Sequence, residues 1–368
     1  METKMYTVND IAVVIPSYNN LEYLKLIYDS VRKISSEIEL HIFDDGSTDG
    51  TRQWLVSLKD PNVNKGLIDV RVGHTILYDI GFKDSTKPII GILHSDMVVH
   101  MDFFDNILKH IAPNVIVSGT CIEPPLHTHG GEKYIFNAGM YPDDFNNTLF
   151  NAFCGDAIAA IPYNIPGGVK SGIFAPWFIF KDEYFDKIGG HDPIYAPYGY
   201  EDSDIFARMA LAGFEFIQSR DALVYHFTQR GHKWSKGIGI ENDGYRAQME
   251  KTRRLYVTKF GTDPIFDYDR RPTPAPKYDI GLIIHNASPA LLHFLEPYYA
   301  IISDKGPLKN DIVVEVDAKH IGNQIPFLLR LPLIIKESGQ IGEMEWDIFK
   351  ISIKSLNEYQ NELIKLKI

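Results

Sequence analysis

Up to Thr120 the chain alternates between short apolar runs and stretches whose apolar residues recur at helical spacing. Ile11–Ile15, Glu39–Phe43, Ile68–Val72, Pro88–Leu93 and Val115–Thr120 read as strands. Between them, Leu21, Leu24, Ile27, Tyr28, Val31 and Ile34 mark one helix, and Thr75–Phe82 and Phe103–Ile111 mark others. Short connections between alternating elements predict an α/β fold, a Rossmann-like, mostly parallel sheet with helices on both faces. Such sheets bind ligands beyond the carboxyl ends of their strands. Here those ends are polar: Pro16, Ser17, Tyr18, Asn19 and Asn20 after the first strand, Asp44 and Asp45 after the second, and His94, Ser95 and Asp96 after the fourth. Three such ends point to one shared crevice.

The remaining chain is read more coarsely. Glu123–Val169 reads as loop, with a His127-x-His129 pair that is a weak metal signal. Ile173–Phe180 reads as a strand containing Trp177, and Glu183–Ile188 as a short helix stopped by Gly189 and Gly190. Leu223–Phe227 is a strand carrying His226, followed by a Gly- and Lys-rich loop and a helix, Tyr245–Phe260, with a basic face. Pro264, Pro272, Pro274 and Pro276 then mark a strap. The expected organisation is a large domain over residues 1–262, a proline-rich linker over 263–277, and a smaller C-terminal α/β unit over 278–368. That unit is expected to contain elements near Tyr278–Ile284, Leu291–Ala300, Ile312–Val316 and Phe327–Ile335, and to close on an amphipathic helix near Ile351–Leu366.

A net charge of −11 argues against sequence-independent nucleic-acid binding, which depends on Lys and Arg, but not against a local basic pocket. Cys121 and Cys154 form no CxxC pair, so a reducing cytoplasmic setting is the expectation. The first ten residues lack the apolar core of a secretory signal, and no apolar run approaches the roughly 20 residues of a membrane span. Peripheral membrane attachment and homo-oligomerisation stay open.

One acidic stretch stands out: Gly199-Tyr200-Glu201-Asp202-Ser203-Asp204 precedes helically spaced Ile205, Phe206 and Met209. Taken alone, it is an acidic helix start, favoured by the helix dipole. In company it resembles more. Val13-Val14-Ile15-Pro16-Ser17-Tyr18-Asn19 and Phe43-Asp44-Asp45-Gly46-Ser47-Thr48-Asp49-Gly50-Thr51 are similar to the opening of the family 2 glycosyltransferases, which have the GT-A fold. Gly189-Gly190-His191-Asp192, the acidic stretch itself, and Ala212-Gly213-Phe214 resemble that family's acceptor-side motif. Val224-Tyr225-His226-Phe227 and Tyr256–Gly261 resemble the segments that follow it. The resemblance ends at the proline strap.

The resemblance implies a nucleoside-diphosphate-sugar donor, with UDP the expected nucleotide, and an acceptor hydroxyl on a glycan, lipid-linked or protein partner. It implies that Pro16, Ser17, Tyr18, Asp44, Asp45 and Ser95 bind the donor. It places Mn2+ or Mg2+ on His94, Asp96 and His226, although His94 stands where the family has an aspartate. It makes Asp202 the general base of an inverting transfer, with Glu201 beside it. Trp177 and Tyr200 are acceptor-side candidates; Trp177 serves either as a sugar platform or as core packing. Arg230, His232, Lys233 and Lys236 form either a basic lid over the diphosphate or a solvated loop. The rivals are a retaining GT-A enzyme and a catalytically degenerate GT-A scaffold, the second motivated by His94.

Overall fold

The computed structural model describes residues 5–126, 133–162, 167–172, 176–228, 230, 232–234, 241–273, 280–299, 301–303, 312–321, 349–353 and 363–365. It divides into two compact units, Met1–Met249 with Phe266–Pro272, and Glu250–Ile265 with Thr273–Ile368.

In the first unit the strands are β1 (Ile11–Ser17), β2 (Glu39–Asp45), β3 (Val63–Ile68), β4 (Ile89–Ile92), β5 (Met97–Val99), β6 (Val115–Glu123), β7 (Lys133–Ile135), β8 (Gly168–Lys170), β9 (Trp177–Phe180) and β10 (Glu215–His226). They form one sheet in the order β3-β2-β1-β4-β9-β6-β10-β5, with β7 added to β6 and β8 to β10. Its helices include α1 (Leu21–Ile34), α2 (Thr51–Ser57), α3 (His74–Asp84), α4 (Phe103–Leu108), α5 (Asn147–Ala159) and α6 (Glu201–Leu211).

The half of the sheet from β3 to β4 is parallel throughout. β1 is apolar over its first five residues because both its faces are covered, and all five are buried. The other half is mixed: β9 runs antiparallel to β4 and β6, and β5 antiparallel to β10. The expected parallel character therefore describes one half. β9 enters antiparallel after the long excursion from β6 that contains α5.

Two local readings change. The third strand is Val63–Ile68, not Ile68–Val72. It is a sheet edge with exposed polar residues, so periodicity hid it, while Val70 is an exposed loop residue. The region read as loop holds α5, whose Asn146 Oδ1 accepts the Leu149 N–H. Its Phe150 and Cys154 are buried and its remaining Ala, Gly and Asn residues blur the pattern.

The second unit has a five-stranded sheet with strands β11 (Ile280–His285), β12 (Ile301–Ser303), β13 (Ile312–Asp317), β14 (Phe349–Ile353) and β15 (Leu363–Lys365). Their order is β12-β11-β13-β14-β15. The first three are parallel, β14 and β15 antiparallel. Pro289–Leu295 is helical. The expected closing helix is absent where the chain is described: Phe349–Ile353 and Leu363–Lys365 are strands, their β-branched residues pairing across the sheet. The segment 327–335 lies outside the described residues.

Candidate active site

The site is built by register. β1 and β2 pair so that Ser17 lies beside Asp44. Asn19, held at φ 50°, receives Thr48 N–H on its side chain, and its own N–H donates to Ser47 Oγ, so the loops after β1 and β2 are stapled together. Asp44 is fully buried; it accepts Ser47 N–H at 2.9 Å and Arg52 Nε at 3.3 Å. Asp45 accepts Val72 N–H at 2.7 Å on one oxygen and Gly73 N–H at 2.9 Å on the other. Burial raises its pKa against those hydrogen bonds. Each oxygen keeps a further lone pair for a ligand. Gly73, at φ 94°, approaches Pro197 so closely that a Cβ would lie 2.2 Å from its Cα. That approach carries His74 towards the acidic stretch. Arg71 lies over the Tyr18 ring at 3.9 Å, Pro16 is partly buried, and Ser17 Oγ is buried without a partner among the described residues.

The loop after β4 carries His94, Ser95 and Asp96. Ser95 Oγ accepts Asn20 Nδ2 at 2.9 Å. In the sheet, His226 on β10 lies beside Met97 on β5, while its neighbour Tyr225 pairs with Ile122 on β6. His226 is thus held between two strand ends. Its Nε2 lies 3.4 Å from Asp96 Oδ1 and 3.4 Å from His94 Nδ1, and its Nδ1 lies 3.2 Å from Glu123 Oε1. One ligand atom from each of His94, Asp96 and His226 falls within 4.8 Å of the other two. Two imidazoles and a carboxylate in that space suit a borderline divalent ion such as Mn2+, so the residues fit the metal that the sequence implied. Burial, then His226, hold His94 down to about 3, which keeps its imidazole neutral and able to ligate. Burial opposes ionisation of Asp96, but His226 more than offsets it and holds the carboxylate well below its ordinary range.

A second group lies on α6. Tyr200, in the left-handed region at φ 63°, is the residue from which α6 starts. Glu201 is buried and its Oε1 pairs with His74 Nε2 at 2.6 Å; its Oε2 has no partner among the described residues. Burial opposes Glu201's charge, but His74 wins and holds it down to about 2. Asp202 is half-buried. Burial first, then Glu201's charge, push it up to about 7, with His74 pulling the other way. The two groups share a neighbourhood: the charges of Asp202, Glu201 and Asp96 all act on buried Tyr78. Asp204 pairs with Arg208, whose Nη1 donates to the carbonyls of Ile188 and Gly190, so this carboxylate anchors α6.

Trp177 corrects the platform reading. It is fully buried, with Phe82, Tyr184 and His191 around its ring, so no face is open to a sugar. On β9 it occupies the centre of the sheet, where an aromatic side chain fills the core. Of the loop after β10, Arg230 is buried against Tyr23, Tyr141 and Trp234, and its N–H donates to Asp96 Oδ2 at 3.1 Å. Burial, then His74, lower His232 to about 4. His127, His129 and Lys236 lie outside the described residues. Sequence reasoning missed His74 and Glu123. Glu123 had a signal, as another acid at a strand's carboxyl end; His74 had only its place after Gly73.

Residues 12–161 match the glycosyl transferase family 2 model, and residues 162–233 match the N-terminal domain of galactosyltransferase. The two matches together run without a gap from residue 12 to residue 233. An uncharacterised glycosyltransferase of Nostoc sp. is 33% identical over 91 residues, 24% of this chain and 28% of that protein's length. A mannosyltransferase from Pyrobaculum calidifontis, solved with GDP-Man and Mn2+, is 19% identical with a TM-score of 0.43, covering 68% of this chain and 63% of that one. GalNAc-T7, solved with UDP, GalNAc and Mn2+, is 16% identical with a TM-score of 0.46, covering 68% of this chain and 50% of that one. Among the described residues, no helix is long and apolar enough to cross a membrane.

Proposed function

We propose that this chain transfers a sugar, with inversion, from a nucleoside-diphosphate-sugar donor to an acceptor hydroxyl. The carrying observation is the His94–Asp96–His226 cluster, its ligand atoms within 4.8 Å of one another, together with Asp202, which adjoins the buried Glu201–His74 pair and is pushed up to about 7. A carboxyl whose pKa is raised towards neutrality is matched to proton abstraction. Asp202 takes the acceptor proton, and Glu201 with His74 holds the charge balance around it. A divalent ion on His94, Asp96 and His226, Mn2+ or Mg2+, supplies positive charge for the departing diphosphate. Pro16, Ser17, Tyr18, Asp44, Asp45 and Ser95 wall the donor pocket, and Tyr200 borders the acceptor side. UDP is the first nucleotide to test, and the acceptor is a hydroxyl of a glycan, lipid-linked or protein partner. The domain organisation proposed is transfer by residues 1–262 with a strap over 263–277 and a separate role for 278–368.

The test combines a thermal-shift screen of nucleoside diphosphates, with and without Mn2+, and NMR of the product's anomeric proton. Ligands that bind the folded state raise its apparent stability. A Mn2+-dependent shift followed by an inverted product is the expected result. A retained configuration rejects Asp202 as base. Persistent absence of donor turnover with Mn2+ present, with no loss on Asp202→Asn, favours a scaffold.

A further inference from the structure

We propose that Glu123, locked by Lys133, is a positioning residue that fixes which imidazole nitrogen His226 presents to a divalent cation; this rests on the metal reading of the His94–Asp96–His226 cluster. The sheet dictates the arrangement. β10 lies between β6 and β5, so the carboxyl end of β10 has Glu123 on one side and Asp96 on the other. His226 spans that gap. Nδ1 faces Glu123 Oε1 at 3.2 Å and Nε2 faces Asp96 Oδ1 at 3.4 Å.

A neutral imidazole has one N–H and one lone pair. An ionised carboxylate only accepts, so without a cation Glu123 and Asp96 each draw a proton onto the ring; when a cation takes the place of the Nε2 proton, Glu123 Oε1 holds the remaining one on Nδ1, and Nε2 is the nitrogen presented to the cation. Glu123 is itself held. It is 7% exposed, and its second oxygen takes Lys133 Nζ at 2.5 Å. β7 pairs with β6 so that Lys133 lies beside Cys121, two residues before Glu123 and therefore on the same face. Phe136 N–H closes the pairing on the Glu123 carbonyl at 2.9 Å. Each carboxylate oxygen is thus assigned: Oε2 to the lysine, Oε1 to the histidine. Buried acidic residues are rare unless paired, and here both partners serve orientation. Outer groups of this kind orient and strengthen metal-ligating histidines, and their loss lowers metal affinity by about 10–100-fold.

The test is direct Mn2+ binding, read as loss of the free-ion EPR signal, on the full chain without donor. Wild type, Asp96→Ala, Glu123→Gln, Glu123→Ala, Lys133→Met, His226→Asn and the double variant Glu123→Gln/His226→Asn are compared, each checked for cooperative unfolding. Glu123→Gln keeps the size of the side chain and serves if the alanine variant does not fold. The expected results are an about 10-fold loss for Glu123→Gln, a larger one for Glu123→Ala and a smaller one for Lys133→Met. In the His226→Asn background, Glu123→Gln should change affinity by less than about two-fold, because its effect passes through His226. Wild-type affinity in Glu123→Gln overturns the proposal, and a further about 10-fold loss in the His226→Asn background overturns it by making Glu123 a direct ligand. If wild type itself takes up no Mn2+, or takes it up equally in Asp96→Ala, the metal reading fails, which these variants separate from failure of the Glu123 assignment.

Discussion

Asp96 and Asp202 are carboxylates near the same buried tyrosine, and the protein drives them in opposite directions. At Asp96 the cost of burial is outweighed by His226, which keeps the group ionised. At Asp202 burial is reinforced by Glu201, so the proton is kept up to about 7. The nearest opposite charge makes the difference: His226 is spent on Asp96, whereas His74 is spent on Glu201. When environments split two acids in this way, their chemical roles divide too. The ionised one suits a cation; the poised one suits proton transfer.

The sharpest way to break this comparison is to neutralise each acid. Asp202→Asn should lower kcat by about 10²–10⁴-fold while nucleoside-diphosphate affinity, measured by calorimetry, stays within about two-fold. A comparable loss of donor affinity would move Asp202 out of the base role. Asp96→Ala should do the reverse, removing the Mn2+ response of donor binding by more than about 100-fold; an unchanged Mn2+ titration rejects the cluster. Stability should separate the acids as well. Because Asp202's folded pKa is raised, the folded state binds its proton more tightly than the unfolded chain. Its contribution to stability is therefore present at low pH and lost as pH rises through about 7. Asp202→Asn should accordingly raise the melting temperature more at pH 8 than at pH 5.

Smaller changes sharpen the electrostatics. Glu201→Gln removes a negative neighbour and should move the acid limb of kcat/KM downward by about one pH unit, whereas His74→Asn should move it upward. Equal shifts in one direction would show that both residues act through structure alone. The smallest expected effect is Trp177→Phe, which should cost about 1 kcal/mol of stability and leave acceptor KM unchanged. A raised acceptor KM at wild-type stability would return Trp177 to the sugar.

The parallel half of the sheet was legible because β1, β2 and β4 are buried on both faces, and continuous apolar runs ending in polar residues are what such burial demands. The edge strand β3 was misplaced because exposed Asn64 and Lys65 carry no apolar signal. Helix α5 was missed because only Phe150 and Cys154 are fully buried, while its other apolar residues are partly exposed. In the site, His94, Asp96, His226, Glu201 and Asp202 were readable because their segments resemble family motifs. Their supports were not. Glu123 reaches His226 only through the β6–β10 register, and His74 reaches Glu201 across a turn that depends on Gly73 approaching Pro197. Trp177 shows the opposite limit: a residue type suited to sugars, placed by the sheet where only packing is possible.

The central claim is that Asp202 is a base poised near neutrality beside a metal-held donor. The pH dependence of kcat/KM between about pH 5 and about pH 9, in wild type and Glu201→Gln, tests it most directly. The account predicts an acid limb near about 7 in wild type that moves to lower pH when Glu201 is neutralised. A flat wild-type profile, or a limb that stays in place in Glu201→Gln, would contradict it.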